Sequence, residues 1–209
     1  MNPIEILEAL PLPEGLAVDA LLISPDGRRA AFTANRGGQA LVCTGAVEGE
    51  PFDEIGTPRF SPDGTRVAYR ARRGKREYMV IGDKEGKAHQ GVGWPVWSPD
   101  GKSVAHYALS GRSQVMVAHG GKGEAFDCVS GTPVFSPDGT QVAYSARKGT
   151  SWFIVAGPQK SEAYDAVSEP VFVESGAAVV FAALKGRSLL RFRMPLTAAP
   201  PSFSESTPR

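Results

Sequence analysis

The tetrapeptide Ser-Pro-Asp-Gly begins at Ser24, Ser61, Ser98 and Ser136, with spacings of 37, 37 and 38 residues. A fifth, eroded copy reads Val173-Glu174-Ser175-Gly176, and its glycine falls 37 residues after Gly139. Self-similarity at this period means a series of like supersecondary units, each burying its apolar surface only against its neighbours. The tetrapeptide itself dictates a reversal of the chain. Proline presets φ for the first central position of a type I turn, aspartate suits the second, and glycine accepts the left-handed conformation that closes a bulged hairpin. A short apolar segment such as Pro133-Val134-Phe135 enters each turn, and a β-type segment such as Val142-Ala143-Tyr144 or Val67-Ala68-Tyr69 leaves it.

A column of glycines, Gly37, Gly74, Gly111, Gly149 and Gly186, marks a second hairpin in each copy. Beyond it lies a third apolar run, as in Tyr78-Met79-Val80-Ile81 or Trp152-Phe153-Ile154-Val155. A fourth follows, with an aromatic or histidine at matching places: Phe52, His89, Phe126 and Tyr164. Four short antiparallel strands repeated at this period predict an all-β, five-bladed β-propeller. The expected repeats run over residues 19–56, 57–93, 94–131, 132–168 and 169–197 of a single domain, followed by a Pro/Ser-rich tail, 198–209. Repeat five supplies only three strands. Val18 falls on the column of Ile55, Val92, Val129 and Val167, so residues 13–18 are expected to complete the last blade and close the ring.

A chain of 209 residues with 24 Gly and 17 Pro is consistent with one large domain of short strands and frequent turns. The formal charge of +1 gives no overall pull toward nucleic acid, which is not expected as a partner. The N-terminus lacks a basic n-region and a long apolar h-region, and no stretch approaches a membrane span. As written the chain reads as cytoplasmic, or as periplasmic or extracellular if it was trimmed. A monomer is expected.

Ser-Pro-Asp-Gly followed by Val-Ala-Tyr, and preceded by Pro-Val-Phe or Pro-Val-Trp, resembles the TolB-type, WD-repeat-like propeller repeat over nearly the whole chain after about residue 18. The resemblance implies a propeller fold. The family includes periplasmic scaffold proteins and the propellers that precede prolyl-oligopeptidase-like catalytic domains. This chain has five copies where such propellers usually have six, and within these residues neither the N-terminal domain of TolB nor a hydrolase domain is expected.

Aligning the repeats gives each reactive-looking residue a structural alternative. His106 falls in the column of Phe32, Tyr69, Tyr144 and Phe181, and His89 in that of Phe52, Phe126 and Tyr164, so both read as replacements for packing aromatics. His119 shares its column with Gly45, Gly82 and Gly157 and is expected in a surface turn. Cys43 aligns with Val80, Val117, Val155 and Phe192, as a small buried hydrophobe does; Cys128 aligns with Glu54, Gly91 and Ala166. No Cys/His spacing suggests a zinc site, no Gly-x-Ser-x-Gly elbow a serine hydrolase, and no Walker sequence a phosphate loop. Asp26, Asp63, Asp100 and Asp138 each lack the nearby second oxygen ligand that calcium requires. No catalytic residue, metal site or cofactor is assigned.

What remains is a contrast between loops. Those after strands one and three carry Asp26, Asp63, Asp100, Asp138 and Glu174, together with Glu48, Glu50, Asp83, Glu85, Glu124 and Glu162. The opposite hairpins carry Arg36, Arg72, Arg73, Lys75, Arg76, Arg112, Arg147, Lys148, Lys185 and Arg187, which predicts a basic rim able to attract an acidic protein or peptide. Trp94, expected in a loop between blades where other copies have Ala20, Thr57, Thr132 and Glu169, is a candidate anchor. Arg59 replaces the Leu22, Val96, Val134 and Val171 of its column close to the axis, where it needs an anion, and an internal carboxylate is favoured over a ligand. The leading expectation is a non-catalytic binding module or scaffold using Trp94, Arg59 and Arg72, Arg73, Lys75, Arg76, Arg112, Arg147 and Lys148. Two alternatives stand beside it. One is an axial site for a carbohydrate or carboxylate, or a hydrolytic site there, near Arg59 and His106; the other is an accessory propeller of a larger polypeptide.

Overall fold

The computed structural model describes residues 12–197 and the backbone of Ser204 and Glu205. Strands β1 (Ala17–Ile23), β2 (Ala30–Arg36), β3 (Gln39–Thr44) and β4 (Val47–Glu48) form the first antiparallel sheet in that order. The second contains β5 (Glu54–Ile55), β6 (Arg59–Phe60), β7 (Val67–Arg73), β8 (Arg76–Ile81) and β9 (Lys84–Glu85); β5 and β6 both pair with β7, as one strand interrupted in the middle. The third repeats this with β10 (Gly91–Val92), β11 (Val96–Trp97), β12 (Val104–Ser110), β13 (Ser113–Ala118) and β14 (Gly121–Phe126). The fourth is β15 (Cys128–Phe135), β16 (Val142–Lys148), β17 (Ser151–Ala156) and β18 (Gln159–Lys160). The fifth holds β19 (Ala166–Val167), β20 (Val171–Val173), β21 (Ala178–Lys185) and β22 (Ser188–Pro195). A last short strand, β23 (Ser204–Glu205), adds to β14 of the third sheet; the rest of the expected tail lies outside the described residues.

The second strand of the second, third and fourth sheets is buried on both faces because sheets flank it on either side. In β7, Val67, Ala68, Tyr69 and Ala71 are all buried, and β12 and β16 follow the same pattern. Apolar clusters form between consecutive sheets. Ala31, Val42 and Phe52 of the first meet Val67, Tyr69 and Val80 of the second, and Met116 and Phe126 of the third meet Val142, Tyr144 and Val155 of the fourth.

The four Ser-Pro-Asp-Gly turns share one hydrogen-bond pattern. The Ser61 hydroxyl donates to Asp63 Oδ1 at 2.5 Å and accepts from the Arg66 amide at 3.0 Å, while the Gly64 amide donates to the Ser61 carbonyl at 2.9 Å. The turns also stack. A Cβ on Gly64 would lie 3.0 Å from Asp26 Oδ1, and one on Gly139 would lie 3.1 Å from Asp100 Oδ1, so these glycines both take positive φ and leave room for the aspartate of the preceding sheet. Arg29 donates to the Thr65 carbonyl at 3.1 Å and Arg66 to the Gly101 carbonyl at 2.5 Å, tying the turns together from sheet to sheet.

Ring closure does not follow the sequence expectation. Ala17 and Val18 pair with Asn35 and Ala34 of β2, inside the first sheet, and among the described residues β22 pairs only with β21. Leu21 of β1 and Leu189 of β22 are 80% and 77% exposed. The physical reason lies in the first strand, which runs unbroken in pairing with β2 apart from one bulge near Asp19. Ala17 and Val18 are therefore committed to their own sheet. The end of the series is also chemically distinct: Arg191 and Arg193 of β22 stand where Ile154 and Ala156 stand in β17, and Arg193 is ion-paired with Glu174. A polar outer face is what a terminal repeat needs.

Candidate functional sites on the second and third sheets

Trp94 sits between β10 and β11, at the interruption of the first strand of the third sheet, not in a connection between sheets as expected from the repeats. The interruption turns its indole outward, 48% exposed, against the second sheet, where the Arg70 guanidinium lies 5.1 Å from the ring centroid. Gly56 lets the ring approach, since a Cβ there would lie 3.1 Å from the indole edge. A cation over an exposed indole is worth about 0.5–1 kcal/mol, so the pair holds Trp94 in place while leaving one face of the ring accessible.

The basic hairpins are far more neutralised than the sequence contrast implies. Arg36 pairs with Glu48 at 2.8 Å, Arg73 with Glu85 at 3.1 Å, Lys148 with Glu124 at 3.6 Å and Lys185 with Glu162 at 3.3 Å. These glutamates were assigned to the opposite loops. Arg36 and Arg73 reach across the third strand of their own sheet to the glutamate as the chain returns, whereas Lys148 and Lys185 reach back to a glutamate of the preceding sheet. Arg72 pairs with Glu54 at 3.0 Å and donates to the Gly74 carbonyl, while Arg147 donates to the Gly149 carbonyl and lies 5.9 Å from the Trp152 ring. Arg73 is further sandwiched over Phe52 at 4.6 Å and Tyr78 at 5.8 Å. Among the described residues, Lys75, Arg76 and Arg112 are the hairpin cations of the second and third sheets for which no carboxylate lies within ion-pair distance.

Arg59 is separate from this group. It pairs across the sheet with Ala68, near the Ser-Pro-Asp-Gly end, whereas the hairpin tip at Arg73 and Arg76 lies at the other end of β7. Its side chain is exposed with no ion pair among the described residues, so the expected internal carboxylate is absent. Its carbonyl accepts a hydrogen bond from the Trp97 indole at 3.0 Å, and Leu22, Val96 and Pro62 share its shallow depression.

The histidines do occupy the aromatic columns, with a consequence the alignment did not reveal. Between the first and second sheets Phe52 meets Tyr69 edge-on, ring centroids 6.4 Å apart; Phe126 meets Tyr144 at 6.4 Å and Tyr164 meets Phe181 at 5.9 Å at the later interfaces. Between the second and third sheets the corresponding residues are His89 and His106, and beside them opens a cavity of roughly 670 Å³. Burial pushes the His106 imidazole down to about 3, with the neighbouring His89 adding to the shift, so it is neutral at physiological pH. Its Nδ1 is buried without a hydrogen-bond partner. Burial also lowers His89, and Lys122 and Lys87 reinforce the effect. His119 lies at the turn after β13, as expected, but only half exposed, with Nδ1 3.0 Å from the Ser103 hydroxyl and its ring edge-on to Phe135. Among the described residues no group of His, Cys, Asp and Glu is placed to hold a metal ion. Cys43 and Cys128 are free thiols, and burial raises Cys43, the opposite of what activates a nucleophile.

An interlocking device went unnoticed in the sequence. The residue after each aromatic of the fourth strand opens the first strand of the following sheet and bonds that sheet's own hairpin: Asp53 Oδ2 accepts from the Gly74 amide, Asp127 Oδ2 from the Gly149 amide and Asp165 Oδ2 from the Gly186 amide, each at 2.6 Å. The matching residue before the third sheet is Gln90, and no such bond reaches Gly111 among the described residues. The joint between the second and third sheets thus lacks the aromatic pair, and the third sheet's own hairpin lacks the aspartate bond.

No protein-family model matches the chain, and no curated protein matches its sequence. Solved structures do. A eukaryotic initiation factor matches with a TM-score of 0.56 at 13% identity, over 90% of this chain and 54% of that one. The β-propeller domain of the trilobed protease from Pyrococcus furiosus, described as having an open velcro topology, matches with a TM-score of 0.50 at 11% identity, over 89% of this chain and 72% of that one. TolB from Acinetobacter baumannii matches with a TM-score of 0.45 at 18% identity, over 90% and 56%. The chain therefore spans little more than half the length of two of these structures. With its all-β series of antiparallel sheets, the likeness establishes a β-propeller type of fold. No helix among the described residues is long and apolar enough to cross a membrane.

Proposed function

We propose that the chain is a five-bladed propeller module that binds an acidic protein or peptide, with the contact centred on its second and third blades. Trp94 is the anchor, its ring held by Arg70, and Lys75, Arg76 and Arg112 supply charge at the adjoining hairpin tips. The observation that carries this reading is the half-exposed indole under a guanidinium, on the same two blades as hairpin cations that have no internal carboxylate partner. Trp and Arg are the residues most enriched at binding hot spots, and uncompensated rim charge speeds encounter with a partner of opposite sign. Arg72, Arg73, Arg147 and Lys148 act in this reading as structural members of the blades, because their charges are already engaged. Arg59 lies outside the contact, toward the other end of its blade.

The test is capture of partners from native lysate by the wild-type chain and by Trp94→Ala combined with Arg112→Glu, eluting with rising salt. A partner held by the wild type at low salt, lost from the variant and released as salt screens the rim supports the proposal. Partners that bind both chains equally, or that resist salt, contradict it.

A further inference from the structure

The cavity between the second and third sheets exists because two aromatic positions are filled by imidazoles. Met79 and Ile81 of the second sheet and Val104 and Val117 of the third form its apolar wall. The polar wall carries Lys87, Lys102 and Lys122, the Ser103 hydroxyl, and His89, His106 and His119, so that its charged groups are all basic. Lys102 is 3.6 Å from the Asp100 carboxylate, but no carboxylate pairs with Lys87 or Lys122 among the described residues. At its depth stands His106, 6% exposed, with Nδ1 unpartnered. A buried polar atom without a partner costs about 1–3 kcal/mol, and like charges gathered without a counter-ion also oppose folding. Packing alone does not call for this arrangement, since Phe or Tyr fills the same column elsewhere in the chain.

We propose that this cavity is a binding site for a small, multiply charged oxyanion, a phosphate ester or a polycarboxylate. Lys87 and Lys122 neutralise the anion, and the His106 ring, which lines the cavity, contacts it at the bottom of the site. The volume is that of a small-molecule pocket, and the apolar wall accommodates the carbon skeleton of such a ligand. Lysine is suited to this role as a compact point charge. The site is independent of the partner surface proposed above.

Pyrophosphate and citrate, titrated into the full chain at low ionic strength, test the two oxyanion sources. Heat of binding, melting temperature and the histidine ring resonances are read together. The expected result is saturable binding of at least one of them, with a raised melting temperature and shifted His106 and His89 resonances. His106→Phe, which restores the residue type of Phe32 and Phe181, should fold and lose binding at least tenfold; Lys87→Gln with Lys122→Gln should lose it similarly. Arg28→Gln with Arg187→Gln, remote surface changes, should bind as the wild type does. The proposal is overturned if neither anion binds saturably, if binding survives both cavity variants, or if the remote variant loses it equally.

Discussion

At Asp63 the Ser61 hydroxyl, the Thr65 amide and the Thr65 hydroxyl converge on one carboxylate oxygen, and these bonds hold its pKa down to about 2 from an ordinary 3.8. Asp26, Asp100 and Asp138 are lowered in the same way, each first by its own turn serine. A carboxylate whose folded pKa is depressed favours folding wherever the unfolded chain would also be ionised, and that contribution fades as the folded form takes up its proton. The urea midpoint is therefore expected to hold from neutral pH to about 4 and to fall steadily toward pH 2. A flat midpoint across that window would mean the turns do not depend on these carboxylates. Single residues were only partly legible in the sequence. The columns placed His89 and His106 correctly among the aromatics, because an alignment of repeats reports backbone position. It could not report the void beside them, which depends on the combined volume of side chains from two different repeats.

Strand and hairpin elements were more legible, because Ser-Pro-Asp-Gly and the glycine column are local signals whose turns form within a few residues. The Asp53, Asp127 and Asp165 clasps are different in kind. Each aspartate follows an aromatic in the sequence, yet its partner is a glycine amide 21 or 22 residues on, at the far end of the same sheet's second strand. Only the register of the first strand on the second brings the two together. Asp127→Ala should therefore cost about 1 kcal/mol and loosen the β16–β17 hairpin, read as faster amide exchange at Gly149. Unchanged stability and exchange would make the clasp incidental. The ion pairs were misjudged for a related reason: which hairpin cation reaches which glutamate depends on side-chain length across a strand, as for Arg73 and Glu85 over the Phe52 and Tyr78 rings.

Across the whole molecule, the repeat period correctly implied a series of antiparallel sheets packed face to face, while closure of that series was the expectation that failed. Pairing of chain ends depends on how far each sheet rotates from the last, a quantity no single repeat encodes. Leu21 of β1 and Leu189 of β22 are both exposed. The candidate features lie on the second and third sheets, where Trp94 is turned outward, the aromatic pair becomes two histidines and the aspartate bond is missing. The proposed partner binds there. Hydrogen exchange across the full chain, with and without a captured partner, tests that placement most directly. Protection confined to residues 70–78, 91–97 and 110–113 is the predicted result; protection centred on the fourth and fifth sheets, or on the Ser-Pro-Asp-Gly turns, would contradict it.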